Sequence, residues 1–393
     1  MENNSATTNA TTAAHTPGAE EARAVRPFRI EIPQSDLDDL RARIANTRWS
    51  GDIPGVDGWT RGVPADYLKG LAAYWAEKFD WREAEAELNA HPQFTTEVDG
   101  QTIHFAHVRS PRADATALLL IHDWPGSFVQ FARMIAPLSR DFHVVVTNTP
   151  GVGFSGPLTS SGWNTGRIAG AFTEVMNRLG YERYGVQGNG GGAWIAAEMG
   201  RIAPERVVGV HVNGLVTFPS DDPADFEGLT ASEQTRLGRL QAFRDDSMGF
   251  NHIQSTRPQT LAFGLHDSPV GQLAWIVEKF KEWTDPAKAL PEDAVDRDLL
   301  LTNVSVYWFT GTAGSSANLY YEMAHDPTAY APKPRGTVPT AVAVALPADV
   351  AIRRFAERDH DVVRWTEFEH GGNFMSMERP EQLIEDIRAF FAI

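Results

Sequence analysis

Three short loops hold the side chains best suited to chemistry. The first is His122-Asp123-Trp124-Pro125-Gly126, directly after the apolar run Leu118–Ile121. The second is Gln187-Gly188-Asn189-Gly190-Gly191-Gly192-Ala193, and the third is His370-Gly371-Gly372-Asn373-Phe374. Each separates a strand-like run from a helical pattern, so each falls at the carboxyl end of a strand, where open α/β sheets bind ligands. The carboxylate of Asp123 could work as a general acid or base. The chain has no cysteine, which excludes disulfides, thiol nucleophiles, Cys-ligated zinc and Fe–S clusters. There is no His-Glu-x-x-His and no carboxylate run with ligand spacing, so neither a metal nor a cofactor is expected. Gly188–Gly192 lacks the Lys-Ser/Thr ending of a phosphate-binding P-loop.

The elements that must position these loops follow from periodicity. Phe94–Val98 and Gln101–Val108 flank Asp99-Gly100, a hairpin signal. Ala117–Ile121, His143–Asn148, Tyr184–Gln187 and Val207–Val212 read as buried strands, with helical patterns between them. Alternating strands and helices predict an α/β class with a mostly parallel sheet and helices on both faces. Strand signals stop over Pro219–Ala331, a stretch rich in Trp, Phe, Tyr, Gly and Pro, and return at Val338–Ala345 and Val362–Phe368. The predicted organisation is a disordered tail over 1–24, a helical N-terminal extension over 25–93, a first core segment over 94–218, an inserted helical cap over 219–331 and a last core segment over 332–393. Residues 1–18 contain no Leu, Ile, Val, Phe, Tyr or Trp, so that stretch cannot offset its ordering entropy by burial. In the extension, Ser35 reads as a capping-box start and Pro64 as the opening of a second helix. Arg26–Asn89 is expected to hold no strand. Trp275, Phe263, Tyr307, Trp308 and Phe309 are expected first of all in the core.

The chain carries 35 basic and 51 acidic residues, a formal charge of −16. That argues against nucleic acid or an anionic membrane as partner. A small apolar molecule suits the composition better, and a homodimer is compatible with it. No apolar run is as long as a membrane span, and no basic segment precedes an apolar core at the N-terminus, so the cytoplasm is the expected location.

From about Pro27 onward the chain resembles the epoxide hydrolases of the microsomal and juvenile-hormone type. The resemblance rests on Tyr74-Trp75, Phe79-Asp80-Trp81-Arg82, Leu88-Asn89, Pro92-Gln93-Phe94, Trp124-Pro125-Gly126-Ser127-Phe128, Gly151-Val152-Gly153-Phe154-Ser155, Asp267-Ser268-Pro269-Val270-Gly271 and Thr310-Gly311-Thr312. It implies an α/β-hydrolase fold with a helical cap and a helical extension before the core. It also implies an Asp nucleophile on a strand-to-helix elbow of the type Gly-Gly-Asp-Trp-Gly, a His base in Gly-Gly-His-Phe, an acid that orients the base, and two cap tyrosines that donate to the epoxide oxygen. Here the elbow reads Gly188-Asn189-Gly190-Gly191-Gly192, and the base position is Asn373. One cap tyrosine position is Trp275, the other is Tyr320, and the acid is Asp349. Backbone amides of Trp124 and Gly191 are the implied oxyanion donors. The family's His-Gly-x-Pro reads His122-Asp123-Trp124-Pro125, with His122 fixing the loop.

Neither glycine nor asparagine can do the work of the residue it replaces, so hydrolysis through an ester at the elbow is not expected. Asp123 either faces the pocket, where desolvation would raise its pKa, or turns toward backbone amides and solvent. The first orientation predicts non-covalent acid–base chemistry on an apolar specialised metabolite, such as cyclisation, epoxide opening, dehydration or isomerisation. Antibiotic biosynthesis would be a fitting setting. Asp123 would be acid or base, Tyr320 a hydrogen-bond donor and Trp275 a stacking wall; Asp349 with Asn373 would be either a relic pair or part of the machinery. Two other readings stand beside it: a non-catalytic small-molecule binder, and direct attack of water on an epoxide.

Overall fold

The computed structural model describes residues 23–392 except Asp57, Asp221, Ala329, Tyr330 and Pro332. The expected tail over 1–24 lies outside the described residues but for its last two.

Among the described residues, nine strands form one sheet in the order β1-β2-β3-β5-β4-β6-β7-β8-β9. They are β1 Arg26–Phe28, β2 Gln93–Val98, β3 Gln101–Val108, β4 Ala117–Ile121, β5 His143–Thr147, β6 Tyr184–Asn189, β7 Val207–Asn213, β8 Pro339–Ala345 and β9 Asp361–Phe368. The first three are antiparallel to their neighbours, and β5-β4-β6-β7-β8-β9 run parallel. Every residue of β4, Ala-Leu-Leu-Leu-Ile, is buried. Side chains alternate between faces, so both faces of that strand are covered, as in a parallel sheet wrapped by helices. The β2–β3 turn has Asp99 at φ 52° and Gly100 at φ 74°, the backbone that a tight right-twisted hairpin requires.

Helices of seven residues or more are α1 Gln34–Ala45, α2 Ala65–Glu77, α3 Trp81–Leu88, α4 Ala132–Leu138, α5 Thr165–Arg178 and α6 Gly191–Ile202. They continue with α7 Ala231–Ala242, α8 Gly249–Thr256, α9 Pro258–Asp267, α10 Pro269–Trp283, α11 Arg297–Thr310, α12 Ala313–Ala324, α13 Arg353–Asp359 and α14 Pro380–Phe390. Helices α7 to α12 fall between β7 and β8, in the stretch without strand signals. Helix α3 is capped by Asp80, whose carboxylate accepts from the amides of Arg82 and Glu83, worth about 1 kcal/mol.

Three expectations are corrected. Arg26–Asn89 does contain a strand: Arg26–Phe28 pairs with Gln93–Thr95, because Pro27 and Phe28 are extended beside an unpaired sheet edge. Helix α1 starts at Gln34 behind Pro33, with no side-chain cap, so Ser35 lies inside the first turn. Phe263 is 72% exposed, on the outer face of α9, whereas Tyr307 on α11 is fully buried.

The N-terminal helices have little of their own to pack on, and they dock on the cap. Trp75 donates from Nε1 to Ser305 Oγ at 2.9 Å. The Tyr67 and Tyr74 hydroxyls donate to Glu292 and Asp298 at 2.7 and 2.9 Å. Trp81 meets Phe309 edge to face, centroids 4.8 Å apart.

Beneath the sheet, Asp386 of α14 joins three donors. Arg364 donates at 2.6 and 2.8 Å, Thr366 Oγ1 at 2.7 Å, and His211 Nε2 lies at 3.0 Å. Burial alone would raise the carboxyl pKa, but the His211, Thr366 and Arg364 bonds hold it at about 2. Removing one partner strands the others, so Asp386→Ala is expected to cost about 3–5 kcal/mol in urea unfolding at neutral pH. The contribution of a carboxylate with a depressed pKa is complete above its unfolded value near 4 and fades as pH falls toward 2. The gap between wild type and variant should therefore close across that window.

Candidate active site

Sheet register puts the three loops side by side. Ile121 at the end of β4 pairs with Gly188 of β6. Two residues further along each strand stand Asp123 and Gly190. Asn189 pairs with Asn213 of β7, and the Gly190 amide donates to the Asn213 carbonyl at 3.0 Å. Asn213 in turn donates from Nδ2 to the Asn373 carbonyl at 3.0 Å, which draws the loop after β9 to the same point.

The Asp123 loop is clamped from within and from the cap. His122 Nε2 accepts from the Thr149 amide at 3.1 Å, so its proton sits on Nδ1, which faces the Asp123 carbonyl at 2.9 Å. Burial lowers the His122 pKa to about 4, and the ring is a neutral brace. From α11, Asn303 Nδ2 donates to the Pro125 carbonyl at 2.7 Å, Ser127 donates to Asn303 Oδ1 at 2.8 Å, and the Tyr307 hydroxyl donates to the Gly126 carbonyl at 2.6 Å.

The Asp123 side chain turns inward, with the residue 8% exposed; it meets the backbone amides of the second expectation, but away from solvent. Its Oδ1 accepts from the Gly191 amide at 2.7 Å and the Trp124 amide at 2.8 Å. Its Oδ2 accepts from Asn373 Nδ2 at 2.7 Å. Gly191 opens α6, so the carboxylate sits on an otherwise unpaired helix N-terminus, where negative charge is favoured. Desolvation raises the Asp123 pKa, while the bonds from Gly191, Asn373 and Trp124 lower it; the balance is about 6.

Gly190 makes this placement possible. It has φ 52°, and a Cβ there would overlap Oδ2 and the carboxyl carbon of Asp123. The Asp123 carboxylate thus fills the space that a side chain at the elbow would take.

Aromatic rings cover the carboxylate. Trp124 and Phe250 are parallel, 3° between planes and 5.4 Å between centroids. Tyr320 is edge-on to both, at 5.5 and 5.7 Å. Trp283 is edge-on to Phe250 at 5.2 Å, and its Nε1 is buried without a hydrogen-bond partner. Burial, then the nearby Asp123 charge and Tyr307, push the Tyr320 phenol well above its usual pKa. It stays protonated and is a donor at any working pH.

Comparison with known proteins agrees with this architecture. The chain is 40% identical to a putative epoxide hydrolase of Stigmatella aurantiaca, over 93% of this chain and 84% of the relative. The chain belongs to the epoxide hydrolase family. It is 32% identical to epoxide hydrolase 1 of Sus scrofa, over 96% and 90% of the two chains. A family model for the epoxide hydrolase N terminus matches residues 25–131, and one for the alpha/beta hydrolase fold matches 116–246. The juvenile hormone epoxide hydrolase of Bombyx mori superposes with a TM-score of 0.86 at 29% identity, covering 96% of each chain. The Aspergillus niger epoxide hydrolase gives 0.84 at 30% identity, covering 94% of this chain and 97% of its own. The fold is that of the α/β hydrolases.

Within that fold, Asp123, Trp124, Gly190, Gly191 and Asn373 meet at one point, with Tyr320 against the Trp124 ring. Asp349 does not pair with Asn373. Its Oδ2 accepts from the Ala345 amide at 2.6 Å, and burial raises its pKa to about 7. Asn373 is occupied elsewhere, by Asp123 and Asn189. Trp275 gives its indole N–H to Gln254 Oε1 at 2.9 Å, and the ring stacked on Trp124 is Phe250. The backbone amides of Trp124 and Gly191 are in place, but their acceptor is Asp123 itself. His252, His266 and His370 lie at the surface. Phe250, Trp283, Gln130 and Asn189 escaped sequence reasoning; the cap's aromatic richness was the one signal for the first two. Among the described residues, no three His, Asp or Glu side chains stand close enough to hold a metal ion, and no helix is long and apolar enough to cross a membrane.

The overlap at Gly190 gives a direct check. Gly190→Ala should cost about 2–4 kcal/mol, from overpacking together with the strained φ. It should also displace the carboxylate. Thermal unfolding of Gly190→Ala against Gly190→Ala/Asp123→Gly measures this: the second substitution should return part of the lost stability.

Proposed function

We propose that the protein opens an epoxide, or an equivalent strained or activated C–O bond, without a covalent ester. Asp123 is the general base. It takes the proton of the attacking hydroxyl, from water or from the substrate itself, as that oxygen bonds to carbon and the strained C–O bond breaks; Tyr320 donates a hydrogen bond to the freed oxygen, which takes up one proton as Asp123 gives one up, so that the carboxylate is restored. The observation that carries this reading is the Asp123 carboxylate seated on the Gly191 and Trp124 amides, in the space above Gly190. Three further points support it. A side-chain-free elbow has no nucleophile, so the reactive carboxylate is the one from the opposite loop. The two amides are already taken by Asp123, which leaves no empty oxyanion hole and speaks against acyl transfer to a substrate. The aromatic cover suits an apolar substrate, and the unpartnered Trp283 Nε1 suits one that presents an oxygen acceptor.

Five departures from the family pattern, Asp123, Asn189, Gly190, Gly191 and Asn373, lie within this one constellation. Four of them are joined by hydrogen bonds and Gly190 makes the room. Random decay has no reason to produce a fully bonded cluster, so the arrangement favours a rebuilt site over a non-catalytic binder.

Single-turnover reaction with aryl and alkyl epoxides in ¹⁸O-labelled water tests the route. Opening by water should carry solvent oxygen from the first turnover, and an ester route would carry protein oxygen. Asp123→Asn should lower kcat by about 10²–10⁴-fold with binding retained. Because the base must be ionised, kcat/KM should fall as pH drops through about 6. Absence of turnover across epoxides and hydroxy-epoxides, with binding intact, would favour the binder instead.

A comparison at the elbow tests the occupancy argument. Gly190→Asp/Asn373→His should give no ester-mediated hydrolysis, because two carboxylates would compete for one space. Adding Asp123→Gly should give ester-mediated hydrolysis, read as protein oxygen in the first diol formed.

A further inference from the structure

Four side-chain and backbone groups around Asp123 close into a ring with a fixed direction. The Asp123 amide donates to Gln130 Oε1 at 3.2 Å. Gln130 Nε2 donates to Asn189 Oδ1. Asn189 Nδ2 donates to Asn373 Oδ1 at 3.2 Å. Asn373 Nδ2 returns to Asp123 Oδ2 at 2.7 Å. A side-chain amide can be turned either way, and its neighbours decide which end is oxygen. A backbone N–H cannot be turned: it only donates. The Asp123 N–H therefore obliges Gln130 to present its oxygen there and its NH₂ to Asn189. The same logic passes through Asn189 to Asn373, whose NH₂ must face the carboxylate.

The geometry points to Gln130 and Asn189 as positioning residues that set which end of Asn373 faces Asp123, and so keep Asp123 a carboxylate rather than a carboxylic acid. A donor facing Oδ2 favours the ionised form; an amide oxygen there would demand a proton on Oδ2. The role reaches past Asn373 to two residues that do not touch Asp123 Oδ2.

Glycines make room for the ring. A Cβ on Gly126 would overlap Gln130 Oε1, and one on Gly214 (φ 62°) would overlap Asn373 Oδ1 and crowd Asn189 Nδ2. Neighbouring amides also polarise one another, which strengthens a chain that runs in one direction. Among the described residues, the charged and titratable groups around the site include Lys279, whose ammonium lies 4.7 Å from the Phe250 ring centroid and donates to Glu282. His122 is neutral above about pH 4. The Tyr307 and Tyr320 phenols are held protonated by burial. Glu378, bonded to the Gly372 amide at 3.0 Å, is raised by burial to about 7.

This inference rests on Asp123 acting as base only for its catalytic meaning; its test does not require turnover. Protein labelled with ¹³C at the aspartate carboxyl is titrated by NMR, and the Asp123 signal is assigned by its loss in Asp123→Asn. Glutamate carboxyls carry no label, so Glu378 does not interfere, and Asp349 is the internal reference. Asn189→Gly, which removes the relay and leaves only backbone, should raise the Asp123 midpoint by one pH unit or more, a tenfold gain in proton affinity, with Asp349 unmoved. Gln130→Glu keeps an acceptor for the Asp123 amide but offers Asn189 a second oxygen, which reverses the chain; the midpoint should rise further. In an active preparation the acid limb of kcat/KM should move by the same amount, with KM changed less than kcat. An unmoved midpoint in folded Asn189→Gly overturns the proposal, and if that variant fails to fold, an unmoved midpoint in Gln130→Glu does so. A shifted midpoint with an unmoved acid limb of kcat/KM would instead count against Asp123 as base and leave the positioning role standing.

Discussion

A buried carboxylate with no cation bonded to it is the constraint around which this site is organised. Leaving such a charge out of water is costly, and the group would normally be protonated or pair with a base. Here three N–H donors replace the solvent: two backbone amides, at the start of α6 and in the loop after β4, and the Asn373 side chain. The backbone donors cannot move away, so the sheet register that joins Ile121 to Gly188 also fixes the electrostatics. Much of the nearby structure serves that placement. Helix α11 clamps residues 125–127 from the cap, His122 ties the loop to Thr149, and Asn213 holds the Asn373 backbone.

The same constraint explains the glycines. Gly190 has to lack a side chain because the carboxylate from the opposite loop occupies that volume. Gly126 and Gly214 have to lack one because amide oxygens of the ring lie there. Within the epoxide hydrolase family this is an economical way to change a site. The strands, the helix N-terminus and the amides stay where the fold puts them, and the acidic group arrives from a different loop. The Asp123 carboxylate, in the loop after β4, reaches this point from another side than a side chain on the β6 elbow would, and its partner is an amide that cannot accept a proton.

The cap completes the environment. Trp124 belongs to the same loop as Asp123 and carries the stack with Phe250, so the base and the apolar wall are joined through one backbone. Trp283 extends the wall while its own carbonyl accepts from the Asn373 amide at 2.6 Å. Desolvation by these rings raises the Asp123 pKa, and the amides hold it down. The result, near 6, is where a carboxylate is ionised at neutral pH yet basic enough to take a proton.

The order of strands and helices, the cap insertion and the three loops of the candidate site were legible in the sequence. Buried parallel strands read as apolar runs, and glycine-rich turns mark their ends. That glycine stands at 190 and asparagine at 373 was legible too, and neither side chain can act as nucleophile or base wherever it folds. Sequence alone left the direction of Asp123 open, because a turn aspartate can face amides, solvent or a pocket with little difference in local energy. Tertiary structure decided it through register, which sets Asp123 beside Gly190, and through steric room that only the folded chain reveals. It also separated Asp349 from Asn373, put Phe250 where Trp275 was expected, and closed the ring through Gln130 and Asn189. Such contacts join residues far apart in sequence, and the hydrogen bonds that choose an amide's orientation have no periodicity along the chain to betray them.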